Sequence, residues 1–97
     1  MKTYKLKIRI LDADPVRLMG AYKNVNEVMR AYAIEAQVIA IDEHLEIYRM
    51  GLSEKMPAME VNGHVLTVRK RLTKDLLLEI FKPLTAPGKG SVANNKK

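Results

Sequence analysis

Residues 5–11, Lys-Leu-Lys-Ile-Arg-Ile-Leu, alternate charged and apolar positions and predict a strand with Leu6, Ile8 and Ile10 on one face. The other face carries Lys5, Lys7 and Arg9, so it is expected to be open or to lie at a layer's edge. Asp12-Ala13-Asp14-Pro15 then reads as a loop and helix start, with Asp14 placed to cap free N–H groups and Pro15 suited to the first turn. Leu18, Tyr22, Val25, Met29 and Tyr32 recur at steps of four and three, widened by Ala21, Val28 and Ala33, and predict a long amphipathic helix. Gly20 inside that pattern costs about 1 kcal/mol against alanine and is expected to mark a close backbone approach.

Residues 36–41 are apolar apart from Gln37 and predict a buried strand, parallel to the first because a long helix separates the two. A short helix over 43–50 follows, with Leu45, Ile47 and Tyr48 expected to face inward and Gly51 to terminate it. Asn62-Gly63 between apolar runs predicts a hairpin of strands 58–61 and 64–69, with Met59 and Val61 on one face and Val65 or Leu66 opposite. Thr73 is placed to cap a last helix that turns Leu76, Leu77, Ile80 and Phe81 inward, stopped by Pro83 and Pro87. The order β-α-β-α-β-β-α predicts one α/β domain over 1–84, a mixed four-stranded sheet with helices on both faces. Residues 85–97 are too polar to bury and are expected to form a flexible basic tail.

Composition narrows the chemistry. Phe81 is the one phenylalanine and tryptophan is absent, so the core must be mainly aliphatic. The chain has no cysteine, which removes disulfide, thiolate–metal and thiol-redox chemistry. A net charge of +6 invites a nucleic-acid or acidic partner, but Lys89, Lys96 and Lys97 place half of it in the tail. Arg69, Lys70, Arg71 and Lys74 form the densest remaining cluster, with no interleaved aromatic residue to stack on bases. His44 and His64 lack a second histidine at metal-ligand spacing, and no glycine-rich turn is placed to cradle phosphate, so no cofactor or metal is expected. No apolar run approaches the ~18 residues of a membrane span, and the first ten residues hold no secretory apolar stretch, so a cytoplasmic protein is expected.

Met56-Pro57-Ala58, followed by Met59-Glu60-Val61-Asn62-Gly63-His64-Val65 and preceded by a short helix over 43–52, resembles the small thioredoxin/glutaredoxin-like proteins. The resemblance spans about residues 6–81. It implies a thioredoxin-like fold, a cis Met56–Pro57 bond, and a groove in which the main chain of Met56 pairs with an extended peptide. Asp14, Pro15, Val16, Arg17, Met56 and Pro57 are the residues it assigns to that groove. Where the family has Cys-Pro-x-Cys, this chain has Asp14-Pro15-Val16-Arg17, so the resemblance carries fold and groove but not oxidoreductase activity. Asp14 and Arg17 are spaced to form an ion pair, although Asp14 acting simply as a helix cap, which stabilises by about 0.5–2 kcal/mol, needs no chemistry. The expected role is a redox-inactive module that binds a protein or peptide. The alternative is a basic surface, Arg69, Lys70, Arg71, Lys74 and the tail, that binds nucleic acid or an acidic partner.

Overall fold

Ile8 and Ile10, the apolar half of the first alternation, are fully buried on β1 (Leu6–Leu11), a strand with a neighbour on each side. The computed structural model describes residues 6–85, so Lys5 and the tail beyond Thr85 lie outside the described residues. α1 (Pro15–Ala31) returns the chain to β2 (Ala36–Ile41), which pairs parallel to β1 with Leu6 opposite Ala36 and Leu11 opposite Ile41. α2 (His44–Arg49) leads to an antiparallel hairpin of β3 (Ala58–Val61) and β4 (His64–Val68). α3 (Lys74–Phe81) follows, and a 3-10 turn over Lys82–Thr85 contains Pro83. With β1 also antiparallel to β3, the sheet order is β2-β1-β3-β4: a mixed four-stranded α/β arrangement, as the pattern predicts.

α1 and α3 cover one sheet face, where Val25, Val28, Leu77 and Phe81 join Ile8, Ile10 and Met59 in the main cluster. α2 covers only one end of the other face, in a smaller cluster of Leu11, Ile41, Ile47, Leu52 and Ala58. The second face of β1 is therefore graded, not uniformly open. Lys7 is exposed, Arg9 is half-buried with its Nε 2.6 Å from Glu60 Oε1, and Leu11 is buried.

Several local expectations need correction. Leu45 and Tyr48 do not face inward: they are 52% and 69% exposed, because a six-residue helix over one sheet end has room to bury Ile47 alone. β2 is an edge strand, half-buried except at the exposed Gln37 and the buried Ile41, since its position in the sheet leaves one side unflanked among the described residues. Val65 pairs across from Glu60, not from Met59 or Val61, and it and Leu66 are exposed, which needs no correction to the expected faces. A bulge between Met59 and Glu60 sets Thr67 opposite Met59 and Val65 opposite Glu60, so neither Val65 nor Leu66 enters the main cluster. Ala33 lies past the helix, exposed, with φ 55°. Gly20 is exposed, and a β-carbon there would meet nothing within 4 Å, so no close approach explains it. The hairpin turn does follow its sequence: Asn62 and Gly63 take φ 51° and 88°, the doubly left-handed turn that favours this dipeptide.

Candidate functional site

The site begins where β1 ends. Asp14 caps α1, its Oδ1 accepting the N–H of Val16 at 3.0 Å and of Arg17 at 3.1 Å, while Pro15 fills the first helical position, where no N–H is needed. The expected Asp14–Arg17 ion pair does not form. Arg17 turns back to Asp12, donating from Nη2 to Oδ1 at 2.8 Å and from Nε to Oδ2. Asp14 already holds two backbone donors on one oxygen, whereas Asp12 is fully buried, where a carboxylate without a partner is costly. Asp12 Oδ1 also accepts the Asp14 N–H at 3.0 Å. Burial pushes the Asp12 carboxyl up, but the Arg17 hydrogen bond, the Asp14 N–H and the Arg17 charge together hold it below the usual carboxylate range.

Asp12 is not singled out by the sequence pattern, because an acid directly after a strand reads as loop. The available signal was the unbroken apolar Ile10-Leu11 before it and a cation five residues on, an arrangement that suits a carboxylate drawn under the sheet end.

The Met56–Pro57 loop arrives at the same place. Its peptide bond is cis. Met56 Sδ accepts the N–H of Ala13 at 3.2 Å, which sets the loop against the residue preceding Asp14. Pro57 is buried, and its carbonyl accepts the Arg69 N–H at 2.9 Å. Met56 is half-buried against the smaller cluster, yet its own main-chain N–H and C=O find no partner among the described residues. Val16, at the start of α1, is 82% exposed. The loop and the helix start are thus joined through Ala13, and they present the exposed Val16 side chain and, among the described residues, the unpaired N–H and C=O of Met56.

A cleft of about 600 Å3 opens from the same helix start. Asp14, Val16, Arg17 and Gly20 line one side, and Arg71, Thr73 and Lys74 the other. Thr73 caps α3 through Oγ1, which accepts the Leu76 N–H at 3.2 Å and fixes the turn that carries Arg71 and Lys74. Lys74 Nζ lies 2.5 Å from Glu27 Oε1. That hydrogen bond, opposed by burial and aided by the charges of Lys74, Lys23 and Arg30, holds the Glu27 carboxyl below its ordinary value. The Arg71 side chain has no hydrogen bond or ion pair among the described residues.

The basic cluster expected from the sequence is therefore divided. Arg71 and Lys74 face the cleft, while Arg69, at φ 59°, donates from Nε to the Glu54 carbonyl at 3.0 Å, and Lys70 is exposed without lining the cleft. His44 and His64 are both exposed. Among the described residues no helix is long and apolar enough to cross a membrane. No model of a known protein family matches the chain, and no curated protein matches it.

Proposed function

We propose that this chain is a redox-inactive, thioredoxin-fold binding module rather than an enzyme, and that it holds an extended peptide segment of a partner protein along the Met56–Pro57 loop. The observation that carries this is the main chain of Met56. Its N–H and C=O are unpaired among the described residues, although the chain on both sides is bonded: Lys55 N–H to the Leu52 carbonyl, and the Pro57 carbonyl to the Arg69 N–H. A backbone left open beside an ordered loop is what strand-type peptide recognition uses, with affinity from main-chain hydrogen bonds. The element order, the parallel β1–β2 pair, the strand order β2-β1-β3-β4 and the cis bond before Pro57 support the family resemblance. Asp14 and Arg17 stand where that family carries thiols, so the surface is kept without the redox step.

Two readouts test this. Capture from a nuclease-treated extract should recover a protein, and Val16→Asn should weaken that capture several-fold without loss of stability, because Val16 is an exposed surface position. The recovered protein should slow hydrogen exchange at the Met56 N–H. If the Met56 amide exchanges at the same rate with and without the captured partner, the groove is not the working surface.

A further inference from the structure

Two surfaces that are far apart in the sequence meet in one place. Asp14, Val16 and Arg17 follow Ala13, whose N–H is held by Met56 Sδ, and Arg71 and Lys74 come more than fifty residues later, yet all five line the same cleft. We propose that the peptide segment held by this domain is acidic, and that a carboxylate side chain of the bound segment enters this cleft to meet the Arg71 guanidinium. This rests on the groove reading above.

Charge supports an acidic occupant. The cleft lining carries three cations, Arg17, Arg71 and Lys74, against one acid, Asp14. Asp14 already accepts two backbone N–H groups on Oδ1. Arg17 is matched by Asp12 and Lys74 by Glu27, whereas Arg71 has no side-chain partner among the described residues. A carboxylate entering beside Arg71 gains a charge-assisted pair that guanidinium geometry allows to be bidentate. A lysine or arginine entering there meets like charge, and a neutral residue gains at most a weaker hydrogen bond to Arg71 without the charge pairing.

Space agrees with charge. The cleft, about 600 Å3, has Gly20 on the α1 side, where no side chain narrows it, and Leu72 at its base is buried. The link to the groove is direct in the chain: Met56 Sδ holds the Ala13 N–H, and the next residue, Asp14, is the rim of the cleft. In this proposal a segment paired with the Met56 main chain runs past the cleft mouth. The chain's overall charge of +6 favours encounter with an acidic partner.

The test uses the full chain and three labelled probes: a short extended peptide alternating Glu and Thr, its counterpart alternating Gln and Thr, and a single-stranded oligonucleotide of the same charge as the first. Fluorescence anisotropy gives affinity, and exchange at the Met56 N–H reports groove occupancy separately. The expected result is about tenfold tighter binding of the Glu peptide than of the Gln peptide, with Met56 protected by both. Arg71→Gln, a change at an exposed position, should bring the Glu peptide down to about the level of the Gln peptide, and Arg71→Glu should bring it below that level, each with little effect on the Gln peptide. Equal affinity for the two peptides in the native chain overturns the acidic preference while Met56 protection upholds the groove. A preference that survives both Arg71 variants overturns the assignment to this cleft. Tighter binding of the oligonucleotide than of the Glu peptide overturns the choice of partner in favour of phosphate. If neither peptide binds nor protects Met56, the preference and the groove reading fall together.

Discussion

Asp12 and Arg17 show how one residue's burial decides another's direction. Arg17 is two-fifths exposed by its side chain and could face water or the Asp14 carboxylate, but the fully buried Asp12 draws it back. The consequence is a pH dependence whose sign follows from the shift. The Asp12 carboxyl is held below its unfolded value of about 3.9, so its contribution is complete above that pH and is lost as pH falls through the folded value. In Arg17→Ala, burial is opposed only by the Asp14 N–H, and the Asp12 pKa rises. That variant should be less stable than the native chain at neutral pH by more than an ordinary surface change, which stays within about 0.5 kcal/mol. The gap should narrow as pH falls below about 4 and close only once pH is below the lowered native value, where Asp12 is protonated in both proteins. Urea denaturation of the pair from neutral to acid pH measures it, and a gap that stays constant across that range rules out the carboxylate as its source.

At the scale of the element, α1 and α2 end in the same motif built from different residues. After α1, the Ala33 N–H donates to the Arg30 carbonyl at 3.1 Å and the Ile34 N–H to the Met29 carbonyl at 2.9 Å. After α2, the Gly51 N–H donates to the Tyr48 carbonyl at 2.9 Å and the Leu52 N–H to the Ile47 carbonyl at 3.1 Å. Both are Schellman endings, which require a left-handed residue just past the cap: Ala33 at φ 55° and Gly51 at φ 74°. A β-carbon in that conformation costs about 1–2 kcal/mol, partly offset because alanine has less freedom to lose than glycine. Ala33→Gly should therefore stabilise the chain by about 0.5–1 kcal/mol and Gly51→Ala should destabilise it by about 1 kcal/mol. Shifts of the same sign in paired denaturation midpoints would refute the shared motif. The contrast also explains what was legible in the sequence. A glycine after a helix announces its stop, as Gly51 does, while Ala33 sits in register with the apolar stripe and reads as more helix. Asn62-Gly63 and the caps Asp14 and Thr73 were legible for the same reason: the local conformation there selects the residue type.

Over the whole molecule, the sequence predicts which elements form but not how evenly they are covered. Local periodicity placed Ile8, Ile10, Val25, Leu77 and Phe81 correctly because each faces a layer that spans the sheet. It failed for Leu45 and Tyr48, whose exposure depends on how far α2 reaches across the opposite face. The result is an asymmetric domain, with a large cluster under α1 and α3 and a small one under α2. Local opening follows buried apolar contact, so the α2 layer should open at a lower free energy than the α1–α3 layer. Ile47 is the buried side chain that α2 contributes, and Ile47→Ala should cost about 2–4 kcal/mol and speed hydrogen exchange through residues 47–55 more than in α1. Exchange in α2 as slow as in β1 would contradict this. The same chain path reaches the groove, because Lys55 N–H bonds back to the Leu52 carbonyl and the Arg69 N–H reaches both the Lys55 and Pro57 carbonyls. A peptide paired with Met56 is thus held by the less stable half of the domain, and its binding should slow exchange in α2 as well as at Met56 itself. Protection confined to Met56, with α2 exchanging as fast as in the free chain, would mean that the loop is ordered without the layer behind it.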